Sequence, residues 1–528
     1  MLLRLADFIK NENNCVAALK KLFSEAAKYS NSMVIIESGE YLFDDIEPIK
    51  LCSNITVKAE GAKFIFPEFL GKNTRRIMFE GTDIENLTWQ GGHFQGYVYD
   101  PENAENLWEP YAYSGCINIV TTKEGKTKNI SIKNVTAQNV AGAVVHILGT
   151  ENCYAENIDV KNCQFLKSGK FMWDYGYLWQ RAVFADKYDL KSVENAFKYL
   201  PEKHISSPLY LKDGKIWADY MPQRLPEERD AITFFGKKLP KGIRKGKQYY
   251  VLNKGTENGL LISETECGEP LFIDEMPENT RLFRNMFYIF HDLYAPVGDK
   301  AYEKGSVDLT NCKNVNVSNC RISAIGDSMH INKSANVVFS NNQILGARMG
   351  ALYIGFCCDN VTVTGNTVYG TNGSRTMSIE CGTKNITITG NTFIGGGRGS
   401  WFNQNENIII SDNVFIRNTK KCTRHINIGR ICQATGEFES YPELYFTTCG
   451  TEYGPVILRG NIIETEKGAS AAVAFNPGGK NILMDGNIIR GEVSEIHVAS
   501  GCEKPLMVNN TGIGVIKDKV FINTANVR

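Results

Sequence analysis

Two carboxylates and an imidazole stand close together in the middle of the chain, at Asp308, Asp327 and His330. Each belongs to a short segment in which apolar and polar residues alternate, as they do in a β-strand. Carboxylates and imidazoles are the side chains that most often carry general acid–base catalysis. Together with Glu380, these are the residues that we expect to be catalytic.

Hydrolysis of a glycosidic bond is a reaction that this set suits, because it needs one group to protonate the leaving oxygen and another to act at the anomeric carbon. Asp308 and Asp327 are the preferred pair on spacing. Asp327 and Glu380 lie too far apart along the strands for an inverting pair, whose carboxyls are about 6.5–9.5 Å apart. Other interpretations stay open: Asp308 and His330 as a solvated charge pair, Asp327 as a turn residue, and Glu380 as an exposed strand carboxylate.

The segments that hold these residues belong to a repeat. Three of them align, and each is followed by a second strand-like piece that opens on an asparagine. The aligned segments are Ser306–Thr310, Ser328–Asn332 and Ala351–Gly355, and the asparagine-led pieces begin at Asn54, Asn86, Asn129, Asn157, Asn314, Asn336, Asn360, Asn385, Asn407 and Asn481. Intervals of 22, 24, 25 and 22 residues from Asn314 to Asn407 give the length of one coil. Such a period predicts a parallel β-helix, in which coils stack on one another.

Asparagine and glycine pairs close many of the coils. They include Gly365-Asn366, Gly390-Asn391, Asp412-Asn413, Gly460-Asn461 and Gly486-Asn487. Both residue types tolerate the left-handed conformation of a sharp corner, and stacked Asn amides can hydrogen-bond from coil to coil. We interpret the 48 residues from Asn407 to Pro455 as two coil lengths, with a loop over residues 430–454.

Strand alternation predicts which side chains leave the helix core. The residue between two inward apolar residues should face solvent. The predicted outward column is Asn118, His146, Asp308, His330, Tyr353, Ser378, Trp401, Asn427, Ala474 and His497, and a parallel column holds Thr310, Asn332, Gly355, Glu380, Asn403 and Asn476. Because coils stack about 4.8 Å apart, Asp308 and His330 should be direct neighbours, with His146 below them and Glu380 two coils above.

Aromatic, cationic and polar residues near these columns are expected to bind substrate, since aromatic rings can stack on the apolar face of a sugar. On the coils they are His146, Tyr353, Arg348, Arg375, Trp401 and Asn403, and in a long interruption of the repeat they are Trp173, Asp174, His291 and Asp292. We expect no metal and no cofactor, because no pair of Cys-x-x-Cys units suggests a zinc site.

The chain divides into four predicted parts. Residues 1–50 form a cap with an amphipathic helix over residues 4–29 and a first strand, and residues 51–164 form the first coils. Residues 165–304 interrupt the repeat with an aromatic, partly helical segment and a small β unit over 228–275, which we expect to wall a binding groove. Residues 305–528 form the remaining coils.

Composition excludes several classes of function. The net charge is zero, which gives no sign of a nucleic-acid partner or of an anionic membrane surface. No apolar run approaches the roughly 20 residues of a membrane span. The N-terminus lacks a secretory h-region, and the 15 cysteines suggest no disulfide framework, so we expect a reduced, cytoplasmic protein or one whose signal is absent from this sequence. A homo-oligomer is possible.

Two stretches resemble known families. The entry Glu37-Ser38-Gly39-Glu40-Tyr41 is similar to the P-x-G-x-Y turn of pectin-lyase-like right-handed parallel β-helices, with Glu37 in place of proline. Gly326-Asp327-Ser328-Met329-His330-Ile331 resembles the G-D-D-x-x-x coil of β-helix glycoside hydrolases of the polygalacturonase and α-1,3-galactosidase-like groups, which implies a catalytic role for Asp327. Ser328 replaces the second aspartate, and the N-T-D, G-H-G and R-I-K motifs of polygalacturonases are absent. The predicted fold class is therefore all-β, a right-handed parallel β-helix with an N-terminal capping helix and a large α/β insertion.

Three functional hypotheses follow. The first is a glycoside hydrolase, exo-acting on an oligosaccharide or polysaccharide. The second is a polysaccharide lyase or sugar epimerase, for which Arg348, Arg375, Lys333 and Tyr353 would supply cations and a phenol. The third is a glycan-binding, tailspike-like protein, because Leu239–Gly242 and Gly246–Val251 resemble a module of phage-tail and surface proteins.

Overall fold

The structure is a computed structural model of the chain. The described residues are 1–10, 14–44, 47–67, 75–97, 113–169, 206–219, 231–244, 247–253, 259–265, 268–284, 305–324, 327–347, 350–370, 375–395, 399–417, 431–432, 437–438, 441–448, 450–466 and 469–519. Within these segments no helix is long and apolar enough to cross a membrane.

Each coil gives one strand to each of three parallel sheets, which confirms the predicted β-helix. In chain order we call them the first sheet, the second sheet and the site sheet, with 14, 12 and 13 strands in the described residues. The first sheet comprises Leu2–Arg4, Ser32–Ile35, Ile55–Lys58, Glu85–Gln90, Thr127–Lys133, Ala155–Lys161, Cys312–Ser318, Ala335–Ser340, Asp359–Thr364, Lys384–Thr389, Glu406–Ser411, Val456–Arg459, Ile482–Asp485 and Leu506–Val508.

The other two sheets run beside it. The second sheet comprises Gly39–Leu42, Ala62–Ile65, His93–Gln95, Thr136–Gln138, Gln164–Ser168, Arg321–Ala324, Gln343–Ala347, Thr367–Gly370, Thr392–Gly395, Val414–Ile416, Ile462–Thr465 and Ile488–Gly491. The site sheet comprises Ile49–Lys50, Arg75–Thr82, Tyr113–Val120, Val145–Leu148, Gly305–Thr310, Asp327–Asn332, Leu352–Gly355, Met377–Ile379, Ser400–Asn403, Leu444–Thr447, Val473–Phe475, Ile496–Val498 and Ile516–Lys517.

Two ladders of asparagine side chains tie the coils together at their corners. In the outer ladder, Asn residues with φ near +55° enter the first sheet, and each Nδ2 donates to the Oδ1 of the coil before it at 2.7–3.0 Å from Asn54 up to Asn360. In the inner ladder, buried amides from Asn342 to Asn510 donate in the opposite direction at 2.8–3.0 Å. The predicted coil-to-coil stacking of Asn amides is confirmed.

The helix core is filled by the inward apolar residues that the alternation predicts. Val307, Met329 and Leu352 stack in successive coils of the site sheet, and each is fully buried. Stacked aromatic rings continue the core higher up, where the Phe402 and Phe446 centroids lie 4.7 Å apart. These layers hold the site sheet rigid from the inside.

The N-terminal cap consists of two helices rather than one. Helix α1 spans Leu5–Ile9, and α2 spans Cys15–Ala26. The side chain of Asn14 accepts a hydrogen bond from Ala17 N at 2.7 Å and so begins α2. Helix α2 buries its apolar side on the first coils, with Phe23 packed against Phe79 at 5.8 Å between ring centroids. It thereby covers core that an open end of the solenoid would expose.

Contacts divide the chain into two compact units. The larger contains residues 1–171, 295–428 and 440–522, and the smaller contains 172–294, 429–439 and 523–528. In the smaller unit, Leu209–Lys212 pairs with Lys215–Ala218, and an antiparallel sheet joins Ala231–Phe235, Gln248–Val251, Ile262–Ser263 and Arg281–Arg284. These strands share a core around Ile232, Phe234 and Tyr249. A hairpin of Ile431–Cys432 and Glu437–Phe438 also belongs to this unit.

One interpretation of the repeat is wrong. The 48 residues from Asn407 to Pro455 are one coil, because Glu406–Ser411 pairs directly with Val456–Arg459. The strand of the site sheet in this coil is Leu444–Thr447, inside the stretch that we interpreted as a loop. Asn427 lies outside the described residues, and Tyr445 holds its predicted place in the outward column.

Candidate functional site

The site sheet aligns the predicted column as the alternation requires. Asn118, His146, Asp308, His330, Tyr353, Ser378 and Trp401 follow one another in register, and Tyr445, Ala474 and His497 continue the row. His146, Asp308 and His330 therefore occupy three successive strands. The prediction that they are direct neighbours is confirmed.

The prediction that this column faces solvent is wrong. The side chains of Asp308 and His330 are 0% and 1% exposed, and His146 and Trp401 are buried as well. Every residue of the strands Gly305–Thr310 and Asp327–Asn332 is buried, so both faces of the site sheet are covered at these coils. The 4.8 Å spacing of coils contributes to this burial, because each side chain packs against the next one in the row.

Asp308 and His330 form a buried hydrogen-bonded pair, with Oδ2 of Asp308 3.2 Å from Nδ1 of His330. Gly305 N also donates to Oδ2 at 3.3 Å. Burial of Asp308 by itself raises its pKa, but the neighbouring imidazoles of His330 and His146 and the Gly305 hydrogen bond outweigh it, so the pKa of Asp308 lies below its ordinary value of 3.8. Asp308 is therefore a carboxylate at neutral pH.

This carboxylate fixes the tautomer of His330. A carboxylate can only accept, so Nδ1 of His330 carries the proton that it donates to Asp308. In the side-chain amide of Asn332, the atom placed as Nδ2 lies 3.1 Å from the same Nδ1 of His330. An N–H cannot accept from an amide nitrogen, so we assign the Asn332 amide with its oxygen toward His330. In the neutral imidazole the other ring nitrogen, Nε2, bears the lone pair; it is buried, and no described residue hydrogen-bonds to it.

Asp327 lies beside this pair, at the first residue of its strand. It pairs with Gly305 across the ladder, and Gly305 in turn donates its backbone N–H to Oδ2 of Asp308 at 3.3 Å. Its Oδ1 accepts from Gly350 N at 2.8 Å. A Cβ built on Gly350 would lie 3.1 Å from that oxygen and 3.8 Å from Cβ of Tyr353, so the carboxyl group is turned toward the Tyr353 coil.

Tyr353 covers His330 from the next coil. The two rings are stacked, with centroids 4.5 Å apart and an angle of 13° between their planes. The phenol lies over Gly355, where an added Cβ would be 2.7 Å from Oη of Tyr353. A side chain at position 355 would therefore displace the ring. Glycine at this position permits the stack that holds the imidazole in one orientation.

Glu380 is engaged with cationic and hydroxyl partners two coils above Asn332. Arg375 Nη1 donates to Oε1 of Glu380 at 3.0 Å and to Oγ of Ser378 at 3.0 Å, and Ser378 also donates to Glu380. The Arg375 guanidinium lies 3.7 Å from the ring centroid of Trp401, in a cation–π contact. The structure thus brings Arg375, Glu380 and Trp401 together.

Unsatisfied polar atoms continue along this face. Nε1 of Trp401 and Oδ1 of Asn403 are buried, and the described residues offer neither a hydrogen-bond partner. Trp401 packs with Tyr441, Tyr445 and Ala474. Nδ2 of Asn476 donates to Oη of Tyr445 at 2.9 Å. Sugar hydroxyls, which both donate and accept, are a chemical match for such atoms.

Arg417 and Glu443 form a second buried pair, just before the Leu444–Thr447 strand. Nε of Arg417 donates to Oε2 of Glu443 at 3.0 Å, and the guanidinium also donates to the carbonyls of Tyr441 and Pro442. Arg417 and Glu443 are 2% and 0% exposed. Burial raises the pKa of Glu443 to about 7, although Arg417 acts in the other direction. The sequence alone does not reveal this pair, because its members lie 26 residues apart.

The remaining predicted residues divide into two groups. His146 lies in the row next to Asp308, and its Nδ1 hydrogen-bonds to Oδ1 of Asn118. Residues outside the described segments are Arg348, Trp173, Asp174, His291 and Asp292. In the sequence Ser328 stands out only as the replacement of an aspartate, although its place two residues before His330 puts it on the same face of the strand.

Comparison with known proteins concerns the fold. Residues 305–439 match the family model described as right handed beta helix region. No curated protein matches the sequence. Solved structures that are similar include the mannuronan C-5 epimerase AlgE6 A-module of Azotobacter vinelandii, at 9% identity and a TM-score of 0.44 over 98% of this chain and 100% of that one.

Two further solved structures are similar over most of the chain. One is PfbA, a surface adhesin of Streptococcus pneumoniae, at 15% identity and a TM-score of 0.44 over 97% of this chain and 91% of that one. The other is an exopolygalacturonase of Thermotoga maritima, at 13% identity and a TM-score of 0.40 over 96% of this chain and 92% of that one. The family match and the three stacked parallel sheets identify the chain as a right-handed parallel β-helix protein.

Proposed function

We propose that the protein is a carbohydrate-active enzyme that hydrolyses glycosidic bonds of oligosaccharides, with Asp327 as the acid and His330, oriented by Asp308, as the base. The observation that carries this proposal is the buried Asp308–His330 pair, which leaves Nε2 of the imidazole available as a proton acceptor beside a second carboxyl group. An acid and a base set apart on one rigid face are what hydrolysis of a glycosidic bond requires.

The state of Asp308 decides how the roles are divided. A group whose pKa is held below 3.8 is ionised at neutral pH and cannot protonate a leaving oxygen. Its charge is also committed to His330 and Gly305. The sequence-based pairing of Asp308 with Asp327 is therefore modified: Asp327 donates the proton, and Asp308 acts through His330, whose Nε2 takes a proton from the attacking water.

The coils above supply groups for the rest of the sugar chain. Trp401 lies three strands above His330 in the same row, about 14 Å away at the spacing of stacked coils. Trp401 offers a donor at Nε1, and Asn403 offers an acceptor at Oδ1. We propose that Trp401, Asn403 and Arg375 contact sugar residues beyond the cleaved bond. Tyr353 contacts the sugar at the cleaved bond itself.

The test is hydrolysis of a panel of neutral and acidic oligosaccharides, followed by mass spectrometry of the products. On a substrate that the wild type cleaves, Asp327→Asn and His330→Gln should each lower kcat by about 100-fold or more, the usual range for loss of an acid or a base. Glu464→Gln, which alters an exposed ion pair with Arg490, is the matched control and should leave kcat unchanged. Full activity in both site variants would refute the assignment, and binding without cleavage would indicate a glycan-binding protein.

A second candidate function is favoured by the stack of Tyr353 on His330. An imidazole base next to a phenol can remove the C5 proton of a uronate, which leads to β-elimination or to epimerisation. Incubation of uronate oligosaccharides in D2O decides between the candidates. Deuterium at C5, or the ultraviolet absorbance of an unsaturated product, would indicate lyase or epimerase chemistry, whereas new reducing ends without either would indicate hydrolysis.

A further inference from the structure

We propose that Ser328, His330 and Asp308 form a nucleophile–base–acid set that cleaves O-acyl esters, such as the acetyl esters carried by sugars. This activity goes beyond the proposed glycosidic hydrolysis. It uses the same base, but neither Asp327 nor any glycosidic bond takes part in it. The set is read from geometry and roles, as serine hydrolase triads are, because such triads recur on unrelated folds.

Ser328 differs from the other hydroxyl groups in its row of the site sheet. In the coil below, Oγ of Ser306 accepts a hydrogen bond from Oγ of Ser168 at 2.8 Å. Two coils above, Oγ1 of Thr376 lies 2.8 Å from Oγ of Ser400, which belongs to the following coil. Ser328 is fully buried, and no described residue hydrogen-bonds to its Oγ. A buried hydroxyl without a partner costs stability, so its retention needs a reason.

His330 is oriented to activate this hydroxyl. Ser328 and His330 are two residues apart in one strand, so their side chains leave the same face with Cβ atoms about 7 Å apart. Nδ1 of the imidazole is turned toward Asn332, on the far side from Ser328. The opposite ring edge, which carries Nε2, is therefore turned toward Ser328. Rotation about χ1 of Ser328 brings Oγ toward that nitrogen.

Asp308 completes the set. It lies opposite His330 in the neighbouring strand, and its Oδ2 is 3.2 Å from Nδ1 and accepts the proton that Nδ1 donates. Nε2 is then left as the acceptor. Nucleophile, base and orienting carboxylate thus follow one another across two adjacent strands. This is the order of roles that activates a serine hydroxyl.

The reaction would run in two balanced steps. Oγ of Ser328 attacks the acyl carbon while its proton passes to Nε2 of His330, and the ester C–O bond breaks as His330 returns that proton to the departing alcohol oxygen. Water then attacks the acyl-serine, gives a proton to His330, and releases the carboxylic acid as His330 returns the proton to Oγ. No oxidant, reductant or metal is consumed.

The experiment uses the full chain and 4-nitrophenyl acetate as the probe. We expect release of nitrophenolate with an initial burst of about one equivalent and, after acid quench, an acetyl group on the peptide that contains Ser328. Ser328→Ala should abolish that acetylation, and His330→Gln should lower its rate at least tenfold. Ser306→Ala, which removes the hydroxyl one coil below, is the matched control and should acetylate like the wild type.

Peptide mapping makes the result decisive even if a variant fails to fold, because it locates the acetyl group on the wild-type protein. The proposal would be overturned if the acetyl group were found on His330, or on surface lysines but not on Ser328. It would also be overturned if the His330→Gln variant kept a native circular dichroism spectrum and its Ser328 peptide were still labelled at the wild-type rate. The two proposals fail separately, since this probe contains no glycosidic bond and the oligosaccharide panel is prepared without esters.

Discussion

The buried carboxyl group of Glu443 makes the stability of the upper coils depend on pH in a way that can be calculated. Its pKa of about 7 in the folded protein lies above the ordinary value of 4.5, because burial disfavours the charged form more than Arg417 favours it. The folded state therefore binds a proton more tightly than the unfolded state does. Stability from this group is fully present below pH 4.5 and is lost as the pH rises through 7.

The magnitude follows from the difference between the two pKa values. At about 1.4 kcal/mol per pH unit, the change from 4.5 to about 7 corresponds to about 3 kcal/mol between acidic and alkaline conditions. Glu443 is fully buried, so no reduction for solvent screening applies. Glu443→Gln is the matching perturbation, since the amide oxygen still accepts from Arg417 but cannot ionise. We expect equal stabilities at pH 4.5 and a variant about 3 kcal/mol more stable than the wild type at pH 8.

The assay is thermal unfolding of both proteins from pH 4.5 to 8. For a chain of roughly 500 residues, 1 kcal/mol corresponds to about 1 °C in Tm, so the two curves should separate by about 3 °C at pH 8. Glu464→Gln is the control, because it changes a surface ion pair worth less than about 1 kcal/mol. Parallel curves for wild type and Glu443→Gln across this pH range would refute the reasoning.

Two further predictions concern positions that hold the coils and the site. Gly355→Ala would place a Cβ 2.7 Å from Oη of Tyr353, so we expect the ring to leave His330 and the kcat for oligosaccharide hydrolysis to fall about tenfold. Gly39→Ala is the control, because its added Cβ would lie 3.4 Å from Oη of Tyr41. Equal activities of the two variants would contradict the prediction. Asn391→Ala removes the acceptor of Asn366 N and the donor to Val363 O, both buried, and should lower the free energy of unfolding by about 2–4 kcal/mol in denaturant titrations. Asn385→Gly in the exposed outer ladder keeps the left-handed backbone and should cost less than half as much.

The repeat could be predicted because its signals are local. An asparagine with a left-handed backbone enters most strands of the first sheet, and a second asparagine closes many of the coils. The same signals failed between Asn407 and Pro455, where Ile426 and Ile428 show the apolar spacing that Leu444 and Phe446 also show. Pairing with Ser400–Asn403 decides between the two candidates, and it depends on contacts that a single sequence does not reveal.

The rows of the candidate site were predictable, but their surroundings were not. Strand alternation gives the side of the sheet on which Asp308, His330 and Trp401 lie, and the coil length gives their neighbours. Alternation does not indicate which residues cover that side of the sheet, so the burial of these side chains could not be predicted. The pairing of Arg375 with Glu380 depends on how the chain enters the Met377–Ile379 strand, and Arg417 and Glu443 meet although they are 26 residues apart in the sequence.

The burial of Asp308 and His330 is itself an argument for function. A buried ion pair is often no more stabilising than apolar residues of similar size. Higher in the same row the chain has an apolar residue, Ala474, which is buried and has no polar side-chain group. At the Asp308 coil and its two neighbours the chain instead keeps a carboxylate, two imidazoles and a serine, and Gly305 donates its backbone N–H to the carboxylate. Nε2 of His330 and Oγ of Ser328 still lack partners among the described residues. A purely structural row would have satisfied or replaced these atoms, whereas a site that binds a polar substrate leaves them for its ligand.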